Sequence, residues 1–329
     1  MVNVLSEKFR KIRQFNGSIY IAEFLLLLII FGFGCLTIEG FASPMTVVSL
    51  LILSSFLGIA AGGQTLVVLL GCIDLSIPGM IALGNVLTGI LTGRGWSFTT
   101  ILLLIIAIAI IVGVINALVS KFFKIHAMIT TLATGAIIEG SLLVLTKGAL
   151  VSSACPEWLS KAVSFTVTMG PIPLPPLVGI WVGYTIIMML LLYKTAWGKR
   201  VYASGVNDRA AQLALVNTTS IWVSTFILSA LSAALAGILL AGFSGSAYIA
   251  IGKPYLFQTI SAVVIGGTSL IGGRGGIERT FFGALLLTLI TTIMIGFGLG
   301  SALQQALLGF IIILLMSIYG REQDIRMRL

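Results

Sequence analysis

The chain has 329 residues, of which 58% are hydrophobic and only 9% charged, with a mean hydropathy of +1.14. Soluble domains carry about 25% charged residues, so this chain has too few polar groups to cover its apolar surface in water, and the composition predicts an all-α polytopic membrane protein. The formal net charge of +9 would point to nucleic acid in a soluble protein; here it predicts basic loops on one side of a membrane and no nucleic-acid partner.

Residues 1–17, MVNVLSEKFRKIRQFNG, hold Lys8, Arg10, Lys11 and Arg13 ahead of a long apolar run. The run exceeds a typical signal-peptide core and no small-residue cleavage site follows it. A cytoplasmic N-terminal arm before a retained first span is predicted. A span needs about 20 mostly apolar residues. Such runs fall at roughly 18–38, 46–70, 78–93, 99–120, 127–146, 177–193, 219–243, 257–271, 280–297 and 300–319. They predict about ten transmembrane helices within a single transmembrane domain, 18–319, followed by a tail at 320–329. The run at 78–93 is short and contains glycine, so a tilted or broken helix is expected there.

Alternation from an inside N-terminus leaves only Arg94, Lys147, Lys161 and Lys253 outside, out of 19 basic residues. That asymmetry predicts cytoplasmic N- and C-termini. Two connections are long. Residues 147–176 fall outside, and their PIPLPP run predicts an extended, stiff connector. Residues 194–218 fall inside and contain GKRVYASGVNDRAAQL, a polar segment in an apolar chain. In it, Asn207 or Asp208 can cap a short amphipathic helix, RAAQLAL favours helix, and Gly205 permits the turn into it. A solvated loop held by lipid phosphates at Lys199 and Arg200 is the alternative.

Ionisable groups inside spans are costly and are functional candidates. Asp74 lies in GCIDLSIPG, which the topology puts at the cytoplasmic end between the second and third spans. With Ser76 and Pro78 it reads as a helix start, a structural cap, against the alternative of a gate or subunit contact. Glu139 must face the bundle or water. Asn85 and Asn116, with Gln64, line a polar path or bond between helices. The lone histidine, His126, reads as a solvated turn residue, because no acids and bases stand in series for a proton relay. GGTSLIGGRGGIERT, with Gly266, Gly267 and Thr268, reads as a close-packed cytoplasmic turn. No phosphate loop of the G-x-x-x-x-G-K-[ST] form, zinc-protease motif or nucleophile elbow with a usable histidine occurs. Cys35, Cys72 and Cys155 show no metal spacing and predict no disulfide framework. An enzyme is disfavoured.

Three stretches together carry a resemblance: GCIDLSIPGMIAL, TAWGKRVYASGVNDRAAQLALVNT and ISAVVIGGTSLIGGRGGIERTFFGALL. In this order they resemble the motifs of the membrane permeases of bacterial ABC importers of the ribose and monosaccharide type. Departures are Cys72 in place of a usual Gly, Pro78-Gly79 for Gly-Ser, Lys199 for Arg, and Glu278-Arg279 before Thr280. The resemblance implies the ABC importer permease fold in a bacterial inner membrane. It implies a two-permease core, homodimeric or heterodimeric, with a cytoplasmic ABC ATPase and a periplasmic or lipid-anchored sugar-binding protein. The chain itself would bind no cofactor, ATP and Mg being used by the partner ATPase. The implied coupling residues are Gly198, Lys199, Arg200, Tyr202, Gly205, Asn207, Asp208, Arg209, Ala210 and Ala211. Gate or interface candidates are Asp74, Ser76, Asn85, Asn116, Glu139, Gly266, Gly267 and Thr268. The implied cargo is a small sugar; an amino acid, polyol, nucleoside or furanose signal is an alternative. An ion-coupled secondary transporter is the competing class, with broken helices at the midplane but more intramembrane acids than are found here.

Overall fold

The computed structural model describes residues 21, 23–148, 151–152, 155–164, 167–169, 172–310 and 313, without side chains in the short strands at 151–152, 167–169 and 172–174. The predicted arm at 1–17 and the tail at 320–329 lie outside the described residues, as do most of 311–319.

Helix α1 covers Glu23–Thr37. It is followed by α2 (Pro44–Leu69), α3 (Ile77–Gly93), α4 (Phe98–Phe122) and α5 (Ala127–Thr146). The long connection after it carries β1 (Val151–Ser152), α6 (Glu157–Ser164), β2 (Val167–Met169) and β3 (Ile172–Leu174). After it come α7 (Pro176–Lys194), α8 (Ala196–Val206), α9 (Asp208–Leu213), α10 (Thr218–Ser244), β4 (Ser246–Ala247), α11 (Tyr255–Ile265), α12 (Ile277–Gly296) and α13 (301–310). Six of these, α2, α4, α5, α7, α10 and α12, are long and apolar enough to cross a membrane. Three shorter apolar helices lie at 23–37, 77–93 and 249–265.

Local chemistry sets the starts. Ser43, Ser97 and Asn217 each accept the backbone N–H three residues on, at 3.3, 3.2 and 3.1 Å, and cap α2, α4 and α10. Pro44 and Pro176 occupy first-turn positions, where the missing N–H costs nothing. The run at 78–93 forms one unbroken helix. The predicted span at 257–271 ends earlier, at Ile265, because the glycines that follow it turn the chain: Gly267, Gly272, Gly273 and Gly275 all have positive φ. The expected stiff connector at 147–176 instead folds back as a hairpin, β2 pairing antiparallel with β3, before Pro176 opens α7.

Helices α2, α3 and α10 form the packed centre. Nearly every residue of α3 is buried, so this helix has no lipid face. Close approach is possible because Gly84 lies on the carbonyl of Ala234 and Gly237 on that of Ile81; a Cβ at either would overlap backbone. By contrast, α5 exposes Ile129, Ile137 and Val144, and α7 exposes Ile187 and Leu190. These are the faces that suit lipid.

Candidate functional site

Three neighbouring sites come out of this arrangement. The first surrounds Asp74. After α2 the chain turns at Gly71 and climbs back into the bundle before α3 begins. Asp74 is buried, and its carboxylate meets only donors: Oδ1 accepts from Ser76 N–H at 2.9 Å and Ser76 Oγ at 2.5 Å, and Oδ2 accepts from Ser229 Oγ at 2.7 Å. Asn116 Nδ2 donates to Ser76 Oγ at 3.1 Å, and Thr134 Oγ1 donates to Asn116 Oδ1 at 2.7 Å. The Leu75 N–H donates to Thr131 Oγ1 at 2.9 Å. With its amide oriented to suit, Gln64 donates to the Asp74 carbonyl at 3.1 Å and accepts from its N–H at 3.3 Å. This cluster thus ties α2, α4, α5 and α10 to the start of α3, with the carboxylate itself joining Ser76 to α10.

The predicted placement of Asp74 at a bundle end needs correction. Asn116 lies about 9 Å along α4 from the end at Phe122, and Ser229 about 16 Å along α10 from its start at Thr218. Asp74 therefore sits well inside the bundle. The cap reading also changes. Ser76 precedes α3 but makes no capping bond to it, because its hydroxyl is taken by Asp74. Asp74 closes the turn before the helix rather than the helix itself.

The second site is the α8–α9 end. The polar segment forms two helices, not one, divided at Asn207, whose extended backbone (φ −160, ψ 104) breaks the run. Asn207 is the cap, as its residue type predicts: its Oδ1 accepts from Ala210 N–H at 2.9 Å. Gly205 is not the turn. It lies inside α8 and lets the helix rest on the carbonyl of Leu69 at the end of α2. Gly198 lies likewise on the carbonyl of Leu192. Tyr202 Oη donates to the Gly275 carbonyl at 2.8 Å, and Gly273 N–H to that of Leu69 at 2.8 Å.

The glycine turn at 266–276 is thereby knitted to α8. Within it, Thr268 Oγ1 accepts from Gly276 N–H at 3.4 Å and Arg279 Nη1 donates to the Gly267 carbonyl at 3.2 Å. Gly266 packs on the carbonyl of Arg279. So Arg279, a departure from the usual motif, braces its own turn.

Sequence reasoning missed Lys121. It stands in the last turn of α4, with Nζ donating to Asp208 Oδ1 at 3.1 Å and Thr218 Oγ1 at 2.6 Å and lying 5.1 Å from the ring centre of Trp222. Gln212 Nε2 adds bonds to Asp208 Oδ2 at 2.7 Å and to Thr218 Oγ1 at 3.0 Å. No local pattern in KFFK links it to a residue 87 positions away. Beyond this clamp the surface is bare: Lys199, Arg200, Arg209 and Ala210 face outward, as do Val206, Leu213 and Leu215 at 72%, 83% and 95% exposure, while Ala211 is buried.

The third site is a cleft beside α5. Two contiguous cavities of about 310 and 510 Å³ share Ala136, Glu139 and Lys253. The lower one reaches Leu75, Pro78 and Gly135, next to the Asp74 cluster; the upper one is bounded by Tyr248 and Gly148. Its far wall is the chain after β4, which runs back along α3. Tyr248 N–H donates to Asn85 Oδ1 at 3.1 Å, and Gly252 rests on the Pro78 carbonyl. Asn85 thus belongs with this wall and not with Asp74. Glu139 faces the cleft, as an intramembrane acid must. His126 is exposed in its turn.

Residues 46–316 match the family described as the branched-chain amino acid transport system / permease component. The chain belongs to this permease family. The match takes in all three sites. Within the family it falls with the ribose and monosaccharide type of ABC importer permease. It is 31% identical over 275 residues to the ribose import permease protein of Bacillus subtilis, covering 84% of each chain. It is 31% identical over 298 residues to the fructose import permease protein of Rhizobium meliloti, covering 89% of this chain and 82% of the other. It is 28% identical over 313 residues to the autoinducer 2 import system permease protein of Photorhabdus laumondii, covering 93% and 92%. No solved structure matches the chain. As a permease of this family the chain is a multi-pass membrane transport component.

Proposed function

We propose that this permease forms the translocation path of an ATP-driven importer for a small sugar delivered by an external binding protein. Two permeases, two cytoplasmic ATPase domains and one binding protein make up the working assembly. In this reading the chain crosses a bacterial inner membrane about ten times, with both termini and the α8–α9 end in the cytoplasm. Loops near α6 and β4 face the binding protein. The chain holds no nucleotide; ATP and Mg act in the partner.

The observation that carries the reading is the surface of α8 and α9. Val206, Leu213 and Leu215 stand largely exposed at a polar end of the protein, beside Arg209 and Lys199. Apolar side chains grouped among charges favour a protein partner. The helices beneath them are anchored on three sides, to α2 through Gly205, to α4 through Lys121 and to α12 through the glycine turn. A push at this surface is passed into the bundle. Hydrolysis can shift the permease between two states only if the partner grips those states unequally, and an anchored surface provides for that.

Co-reconstitution of the chain with its ATPase and binding protein in liposomes tests the proposal. Uptake of labelled ribose, fructose or autoinducer 2 should require internal ATP and both partners. Uptake by the chain alone, driven by an ion gradient and indifferent to ATP, would replace this reading with the secondary-transporter class.

A further inference from the structure

From the cleft beside α5 we infer a binding site for a neutral solute rich in hydroxyl groups, with Glu139 and Lys253 as its two polar contacts. The inference rests on the transport reading above and places the solute within it.

Helix α5 has two unlike faces. Ile129, Ile137 and Val144 stand 64–81% exposed on one side and match lipid. Ala136, Glu139, Gly140 and Leu143 recur at helical spacing on the cleft side. That face carries a carboxylate, so it lines space rather than lipid. Opposite stands Lys253, on the wall formed by the chain after β4, with Gly252 held against the start of α3. Among the described residues neither the Glu139 nor the Lys253 side chain makes an ion pair or hydrogen bond, although both residues line the same two cavities. Glu139 lies within the apolar run of α5 and is half-buried, so its carboxylate costs free energy unless water or a ligand solvates it, while Lys253 is exposed across the cleft.

Their chemistry suits the sugar cargo of the transport reading. The carboxylate only accepts hydrogen bonds and the ammonium only donates them. Together they add no net charge. A hydroxyl both donates and accepts, so a solute with hydroxyls at either end satisfies both groups, whereas a free anion or cation is repelled by one. The apolar remainder of the lining, Ala136, Leu143 and Ile249, offers no tight grip. This suits a waypoint that must release its cargo toward the Asp74 cluster below.

The test has two arms in full-length protein. First, Gly140→Cys and Ile137→Cys are compared in a chain with Cys35 and Cys155 replaced by Ser; Cys72 is buried. Nothing lies within 4 Å of a Cβ at Gly140, so the thiol fits. A membrane-impermeant methanethiosulfonate should label residue 140 from outside and spare residue 137. No labelling at 140 makes the cleft a lipid or permease–permease surface and overturns the site.

Second, Glu139→Gln and Lys253→Gln are assayed in the reconstituted importer with radiolabelled ribose or fructose, whichever the unmodified assembly takes up. Uptake per ATP hydrolysed should fall about tenfold, the size expected when a hydrogen bond to a charged group is lost. Unmodified uptake in both variants overturns the site while the importer reading stands. Absence of ATP-driven uptake in the unmodified assembly strikes the importer reading instead, and the labelling arm still decides the cleft.

Discussion

Lys121 Nζ lies 3.1 Å from Asp208 Oδ1, and this contact fastens the first residue of α9 to the last turn of α4. The pair is partly sheltered, with side chains 15% and 38% exposed, so solvent and salt screen it less than a fully exposed pair. Thr218 and Trp222 hold the same ammonium and bring in the start of α10. From this clamp α4 runs to Asn116 and α10 to Ser229, which contact the Asp74 cluster from two sides. Contacts therefore run without a break from α9 to the centre of the bundle along two helices.

Lys121→Met should insert normally but lose coupling. In proteoliposomes with ATPase and binding protein, uptake falls about tenfold or more, as hydrogen bonds to a charged group are lost, while ATP hydrolysis continues. The exchange of Lys121→Asp with Asp208→Lys remakes the pair and should restore part of the uptake. Equal uptake in all three proteins would mean that the clamp transmits nothing.

Asn207 caps a helix of only six residues, whose first turn is also held by the Lys121–Asp208 contact. Asn207→Ala should cost about 1 kcal/mol of local stability. Faster proteolysis across 208–213 would register it, with ATP-coupled uptake reduced and membrane insertion unchanged. Asn207→Ser keeps an acceptor oxygen and should recover most of the loss. If Ala and Ser behave alike, the cap is not what positions α9.

Six of the ten predicted spans, those forming α2, α4, α5, α7, α10 and α12, were legible in the sequence because an apolar run of span length has few other uses. Asn207 was legible for a similar reason: a cap acts on residues three positions away. The Asp74 placement was not. Hydropathy marks where an apolar run stops, and it stops at Gly71 whether the chain leaves the membrane or turns back into it. Only the bonds to Asn116 and Ser229, far along the chain, reveal the depth. Lys121 and Lys253 were counted as loop charges, since nothing adjacent to them names Asp208 or Glu139. The role of Gly205 was misjudged because a glycine needed for close approach reads the same as one needed for a turn.

Close approach makes Gly205 a stability site. A Cβ there would overlap the Leu69 carbonyl, which cannot move without disturbing the end of α2. Gly205→Ala should destabilise the detergent-solubilised protein by about 1–3 kcal/mol, the usual cost of overpacking, and lower its melting temperature. Gly179→Ala, where nothing lies within 4 Å, should leave it unchanged or raise it slightly, since alanine favours helix. A melting curve for each variant checks this; equal curves for Gly205→Ala and the parent would mean that α8 does not rest on α2.

Asp74 is the place where stability and transport can be separated. Its two oxygens receive three hydrogen bonds and no cation neutralises it among the described residues. Asp74→Asn keeps the shape but turns an N–H₂ toward either Ser76 or Ser229, both of which are donors there. One buried bond is lost and a donor is left facing a donor, at a cost of about 1–3 kcal/mol. Ser229→Ala removes one donor and leaves the bonds from Ser76, so it should cost less. The expected order of melting temperature is parent, Ser229→Ala, then Asp74→Asn. Ser229 can rotate its hydroxyl to accept, but the remade bond joins two neutral groups where the parent's is made to a charged one, so the order survives that adjustment. If Asp74→Asn melts with the parent yet abolishes ATP-driven uptake, the carboxylate acts in gating and not in holding α3 to α10.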